Sequence, residues 1–541
     1  MSCICHFFKV LARRAGLLTT VAAAAFFLGA PAGEASARAA EPAYPATEVG
    51  GESQYSHFPI PLNQYKPAPP DASLSQVLTE RNKQSGGFNL AVTLVFLGAI
   101  IHTFLAGRFE RYSHKLAQRY KEKLKETNFR VMHPEERLPV SFASAIFHFL
   151  GEVEAVFGIW IIPFMFVCWK YYSFEDFSAY LNYDCSFTEP MFVMIIMIIA
   201  SSRPIFKLAE SVVNYGAKLG KSSPGAWWIS VMTLAPLLGS LILSKKFYDL
   251  KPKKTLMYAT LGLLFVNISI GGTLTHFAAP PVVMVAEKWD WGLAHMIQHF
   301  GWKAVSAIII SNLAYFFLFR KEFARLAAQQ REFNEFDDAV PQSWEDRNDK
   351  IPAWVTLAHV CFLTWTVLFA HEPVMFIGSF LFFIGFTVAT PQYQNQMSLR
   401  VPMMVGFFLA GLVILGGVQA WWLEPVLTRL GDYAMIGATL LTAFNDNAAV
   451  TFLASTVPNL PEAVKYSVVA GAVTGDTRVS VKLLNHFDIK KPLVSYHEHN
   501  RASAGQAILG KYFKGINPLW LFAWAAFPTA IVFIFFTCFG H

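Results

Sequence analysis

The run Ala434-Met-Ile-Gly-Ala-Thr-Leu-Leu-Thr-Ala-Phe444, then Asn445-Asp446-Asn447, then Ala448-Ala-Val-Thr-Phe-Leu-Ala454 decides how this chain is read. The apolar stretch is long enough to enter a bilayer. A carboxylate between two amides deep in it is costly unless it faces protein or water, and such groups mark ion or substrate paths. Asp446 also suits the end of a broken helix, because Asn and Asp favour caps. The two roles are compatible, since broken helix ends build the ion sites of many transporters.

Composition places the rest of the chain in the same setting. Of 541 residues 54% are hydrophobic and 15% charged, well under the quarter usual for a soluble domain. This predicts an all-α, polytopic membrane protein. Residues 1–39 read as a signal peptide: Lys9, Arg13 and Arg14 precede the apolar run Ala15 to Leu28, and Ala35-Ser-Ala37 and Ala37-Arg-Ala39 are cleavage candidates. Residues 40–87 read as a weakly structured periplasmic segment. Cys168, Cys185, Cys361 and Cys538 are scattered, with neither a disulfide framework nor metal spacing. The pairs His295/His299 and His497/His499 offer too few converging ligands for zinc. Basic residues flank apolar spans, as the positive-inside rule expects, so no nucleic-acid partner is predicted.

Charge then sets a topology for a bacterial-type inner membrane. Phe88 to Ala106 is the first mature span. The nine Lys/Arg of Arg108 to Arg137 make the next segment cytoplasmic, and its aromatic and leucine pattern predicts a helix lying on the membrane surface. Val140 to Trp169 crosses outward and Pro190 to Ala200 returns. Trp227 to Leu243 has basic residues on both flanks, Lys218 and Lys221 before it and Lys245 to Lys254 after it. A re-entrant hairpin turning at Pro236-Leu-Leu-Gly-Ser240 satisfies both. Leu256 to Ala286 is an interrupted crossing. Ala304 to Phe319 closes a first half over 88–319, residues 320–350 form a cytoplasmic linker, and 351–541 form a second half with a polar insertion at 476–503. Met257-Tyr-Ala-Thr-Leu-Gly262 and Lys465-Tyr-Ser-Val-Val-Ala-Gly471 each follow a candidate hairpin of opposite entry. That predicts inverted repeats with discontinuous helices.

Three segments carry a resemblance: His148-Phe-Leu-Gly-Glu-Val-Glu-Ala-Val-Phe-Gly-Ile-Trp160, Leu263-Leu-Phe-Val-Asn-Ile-Ser-Ile-Gly-Gly-Thr-Leu-Thr-His-Phe-Ala-Ala-Pro-Pro281, and Thr442 to Ser455. Through them the chain resembles a family of sodium/proton antiporters within the wider superfamily of arsenite, citrate and dicarboxylate carriers. The resemblance implies that fold and cation/proton exchange. The chain departs from the family pattern at 240–245, where the first hairpin is short, and at 476–503, where the segment is polar and charged.

An antiporter needs a group that holds either a proton or a cation, and a carboxylate shielded from water can do so near neutral pH. Asp446, Glu152, Glu154 and His148 are the proton-carrier candidates; His148 and Glu152 share a helix face. Sodium prefers oxygen ligands, by the logic that holds for other hard cations. Asn445, Asp446, Asn447 and Thr451 supply them in the second half, and Asn267, Ser269, Thr273 and Thr275 in the first. The function expected is exchange of a monovalent cation, sodium, for protons, with an anion carrier of the same fold or an inactive member as alternatives. Neither a nucleophile motif nor a cofactor loop suggests an enzyme. The expected partners are sodium ions, protons and the bilayer; homo-oligomer formation is left open.

Overall fold

The computed structural model describes residues 58–126, 141–219, 223–238, 247–333, 349–430, 447–486 and 518–538, with position 437 and without 68, 70, 249, 396 and 398. Every regular element among them is helical. Five helices are long and apolar enough to cross a membrane, and a pair bent by 58° can make a sixth. The chain is a multi-pass membrane protein. The signal expected at 1–39 lies outside the described residues.

The described residues of 58–87 pack against the bundle, in place of the weak structure expected there; the rest of 40–87 lies outside the described residues. Helix α1 (Leu74–Gln84) starts at a capping box between Ser73 and Gln76. The Phe58 ring lies 5.2 Å from Phe88, 4.8 Å from Tyr172 and 5.3 Å from Tyr180. Asn89 Nδ2 donates to the buried Tyr65 hydroxyl at 2.8 Å. Burial of these two rings anchors a segment whose polar composition points the other way.

Helix α2 (Phe88–Glu126) is continuous for 39 residues, about 58 Å at the α-helical rise. That is nearly twice the hydrocarbon thickness. Its charged half therefore continues beyond the span, and the surface-lying helix expected over 108–137 is not formed by 108–126. The crossing expected as one run from Val140 to Trp169 is broken into α3 (Phe142–Gly151) and α4 (Val156–Tyr171), joined by a single 3-10 turn at Val153–Ala155. The break has a cause. A Cβ on Gly151 would stand 2.9 Å from the Glu110 backbone nitrogen, so α3 touches α2 there. His102 Nε2 bonds the Leu150 carbonyl that the break frees, at 2.9 Å, while its Nδ1 accepts from Trp160 Nε1 at 3.0 Å. With Nδ1 accepting, Nε2 is the ring nitrogen left to donate.

The bent pair is α5 (Phe174–Ala179), continued by a π turn to Asp184, and α6 (Thr188–Ala200). Amphipathic α7 (Arg203–Leu219) and α8 (Pro224–Leu238) follow. The interrupted crossing expected over 256–286 is present as α9 (Lys254–Gly271) and α10 (Pro280–Ala286). Then come α11 (Leu293–Leu318) and α12 (Arg320–Phe333). The second half holds α13 (Ala353–Leu368), α14 (Pro373–Ala389), α15 (Arg400–Gly417), α16 (Ala420–Leu430), α17 (Asn447–Ser455), α18 (Glu462–His486) and α19 (Pro518–Cys538). Helix α18 runs into the segment expected as a polar insertion at 476–503; residues 487–503 lie outside the described residues.

Close packing of α4 on α15 rests on glycines. A Cβ on Gly158 would meet the Phe407 ring at 2.2 Å, and one on Gly411 would meet the Gly158 nitrogen at 2.5 Å. Small residues are what permit such approach between membrane helices.

Prolines recur inside helices, each leaving the carbonyl four residues earlier without its N–H. Side chains from elsewhere in the bundle take three of those carbonyls. Arg81 Nη1 donates to Trp421 O at 2.7 Å, four residues before Pro425. The Tyr315 hydroxyl donates to Trp524 O, four before Pro528. Asn267 Nδ2 donates to Met232 O at 3.1 Å, four before Pro236. In a bilayer, where backbone groups have no water to turn to, each pairing both satisfies and locks a helix.

Arg81 pairs with Glu424 at 2.6 Å and Lys465 Nζ lies 5.9 Å from the Trp289 ring. Arg203 Nη2 donates to the Asp349 carbonyl at 3.1 Å, and Glu322 joins Lys253 at 3.2 Å to Arg325 at 2.6 Å.

Candidate functional site

The polar centre of the first half lies where α8, α9 and α11 meet. Asn267, near the C-terminal end of α9, is fully buried. Its Nδ2 donates to Met232 O and, at 2.8 Å, to Asn312 Oδ1; Asn312 Nδ2 donates to Thr233 Oγ1 at 3.3 Å. Asn267 Oδ1 is buried with no donor among the described residues. A carbonyl oxygen in that state is a ready ligand for a hard cation. Asn312 and Thr233 did not emerge from the sequence reading. The signal was there: Ser311-Asn312 is a polar pair inside an apolar span, the argument that singled out Asn445 to Asn447.

The break between α9 and α10 follows directly. A Cβ on Gly272 would stand 2.4 Å from Ala279 Cβ, so the loop closes tightly on itself. Ser269 Oγ donates to Val473 O at 2.8 Å, tying the two halves together across α9 and α18. Thr273 Oγ1 donates to Ile270 O at 2.7 Å. Thr275 Oγ1 is buried with no partner among the described residues.

Helix α10 packs on α17. The segments that follow them meet as well, the Lys465 ammonium lying 5.9 Å from the Trp289 ring. At their N-termini, half-helix ends present N–H groups that the helix itself does not pair. Asn447 is the first residue of α17, and the buried Thr451 donates back to Asn447 O and Ala448 O, each at 3.2 Å. Asn445 and Asp446 lie outside the described residues.

Glu152 stands apart from this centre. It occupies the α3–α4 break, where Arg400 Nη2 donates to its Oε1 and His148 Nε2 lies 3.4 Å from it. Its side chain is 26% exposed and that of Arg400 46%. Glu154 follows in the 3-10 turn, half-buried. The arginine partner comes from α15. The histidine pair His295/His299 is stacked at 4.3 Å beside Trp291, and no group of three metal-ligating side chains occurs among the described residues.

Broken helices, half-helix ends and a buried amide network define a membrane transporter's interior. The chain belongs to the family described as "Putative Na+/H+ antiporter", whose model matches residues 87–539. The family is one of transporters, not enzymes. A separate likeness is local: 40 residues are 52% identical to the ribosomal RNA small subunit methyltransferase I of Halalkalibacterium halodurans, covering 7% of this chain and 14% of that protein. A match so short brings neither the fold nor the activity of that enzyme to the chain.

Proposed function

We propose that this chain exchanges sodium for protons across a bacterial-type inner membrane. The observation that carries this reading is the buried Asn267 carbonyl oxygen, held by Asn312 and Met232 beside a broken helix, with no donor among the described residues. Asn267, Ser269, Thr273 and Thr275 supply oxygens from one half, and Asn445, Asp446, Asn447 and Thr451 from the other. Asp446 is the leading proton carrier, because it is the only carboxylate of the second-half set and lies in a long apolar run that shields it from water. Glu152, Glu154 and His148 are the alternative carriers.

The architecture behind this reading is a pair of inverted repeats, each with a re-entrant hairpin. Support for the first hairpin comes from Phe323 of α12. Trp228, near the start of α8, lies 5.3 Å from that ring, and Phe247, after the hairpin, lies 6.3 Å from it. A chain that leaves and returns to one helix does not need to cross.

Reconstituted proteoliposomes with an imposed sodium gradient test the function. Sodium-dependent proton movement in the wild type, lost in Asp446→Asn at matched reconstitution, is expected. Asp446→Glu is expected to keep exchange with a shifted sodium affinity or pH profile, which a pure helix cap would not produce. An anion carrier of the same fold is the second reading. It is favoured by Lys303, a buried lysine in α11 whose Nζ donates to the Tyr466 hydroxyl at 2.8 Å. Flux of an oxyanion or carboxylate with no sodium-driven proton movement supports that reading instead, and no flux of either marks an inactive member.

A further inference from the structure

Helix α7 divides into three faces. Ala209 and Val213 are buried, and a Cβ on Gly216 would stand 2.9 Å from Ser230 Oγ of α8, so one face packs on that helix. A second face is polar: Lys207 pairs with Glu210 at 3.0 Å, and Ser211 and Lys218 are exposed. Between them runs an apolar stripe at helical spacing, with Leu208 40%, Val212 45% and Tyr215 70% exposed.

The start of α7 and its last two turns lie at one end of the bundle. At the start, Arg203 Nη2 donates to the Asp349 carbonyl, just before α13. Farther on, Asn214 Oδ1 accepts from Trp227 Nε1 at 3.3 Å, in the first turn of α8. The neighbouring Trp228 lies 5.3 Å from Phe323 of α12, directly after α11 ends. Residues 320–350, charged in both signs, are too polar to cross, so α11 finishes and α13 starts at the same end. A 17-residue helix, about 25 Å long, that meets this end at both places runs along it rather than through a bilayer.

The lipid boundary lies at this level. Phe317 and Leu318 are exposed on the last turn of α11, and the exposed Arg320 and Lys321 follow at once. Lys253, exposed at the entry to α9, reaches Glu322 of α12.

We propose that α7 is seated on the bilayer surface, with Leu208, Val212 and Tyr215 among the lipid chains nearest the headgroups and Lys218 on anionic headgroups. An apolar stripe edged by basic residues is the pattern of an interfacial helix. Charge favours an anionic lipid: Lys218, Arg320 and Lys321 are exposed at this end, while the carboxylates of Glu210 and Glu322 are held in ion pairs. Three side chains are too narrow a surface for a second copy, since a stable protein interface takes roughly 800 Å² from each partner. The seat reaches the amide network through α8, whose Met232 carbonyl and Thr233 hydroxyl belong to it.

The full-length protein in nanodiscs, with both faces open to solution, tests this. Nitroxides on Ser211→Cys, Val212→Cys, Tyr215→Cys and Lys218→Cys, one at a time, report collisions with oxygen, which concentrates in lipid, and with a water-soluble nickel chelate. Positions 212 and 215 should favour oxygen, and 211 and 218 nickel. A uniform pattern overturns the seat, as does spin–spin broadening at 212 and 215 that marks a second copy. The lipid charge is tested by the rate at which a water-soluble maleimide modifies Tyr215→Cys, read by peptide mass spectrometry. Modification should be about fivefold slower in phosphatidylglycerol than in phosphatidylcholine, and adding Lys218→Gln or raising the salt should remove that difference. Equal rates in the two lipids overturn the headgroup contact, and fast modification in both overturns the seat itself.

Discussion

Asn267 shows how one side chain can serve structure and function together. Its amide nitrogen repairs the backbone defect made by Pro236 and grips Asn312 on a third helix, leaving its oxygen to face the interior. Asn312→Leu removes that grip. The loss should cost about 1–3 kcal/mol, read as a lower melting temperature in detergent, and should raise the sodium concentration for half-maximal exchange. An unchanged sodium response would confine Asn312 to packing. Asn267 was legible in the sequence because a polar residue beside a glycine pair interrupts an apolar span. That its partners are Met232 and Asn312 was not, since nothing in either stretch marks the other as a neighbour.

At the scale of elements, prolines matter through the carbonyls they release. Tyr315→Phe should strand the Trp524 carbonyl and destabilise the protein by about 1–3 kcal/mol. Adding Pro528→Ala to that variant supplies an intrahelical N–H and should recover most of the loss. Equal melting temperatures for the single and double variants would show that the carbonyl is satisfied otherwise. The first hairpin makes a second prediction: cysteines at 221 and 246 should label from the same face of the membrane, and labelling from opposite faces would make α8 part of a true crossing. The basic flanks predicted this from charge alone. The length of α2 escaped the same reasoning, because the amphipathic pattern beyond Arg108 fits a surface helix as well as a helix that continues past the bilayer and packs on α3.

At the scale of the whole molecule, ion pairs join distant segments. Glu322 accepts from the Lys253 backbone at 3.1 Å and from Arg325, linking the entry to α9 with α12. The hydrogen bond from Arg325 is the main cause that lowers its carboxyl from 4.5 to about 2. A depressed carboxyl stabilises the fold fully above its unfolded value and loses that contribution as pH falls through the folded one. Stability should therefore drop between about pH 4.5 and 2 by more in the wild type than in Glu322→Gln, as measured by thermal unfolding in detergent. Superimposable acid limbs would remove Glu322 from the account. At the helix interface, Gly411→Val should clash with the Gly158 backbone and lower the yield of folded protein more than Gly378→Val, where a Cβ has open space around it.

The sequence by itself determined the class: an all-helical membrane protein, interrupted after Asn267 by a Gly-Thr-rich stretch. These follow from local composition, because long apolar runs in a bilayer must satisfy their backbone groups within the helix, and each charge or break within them is costly. Only the tertiary structure decided which breaks meet. The pairing of α10 with α17, the tie between Ser269 and Val473, and the placement of Glu152 with Arg400 all join residues far apart in the chain. Such contacts depend on where glycines let helices approach and where prolines free carbonyls for distant donors, and that is settled by the packing of the whole bundle.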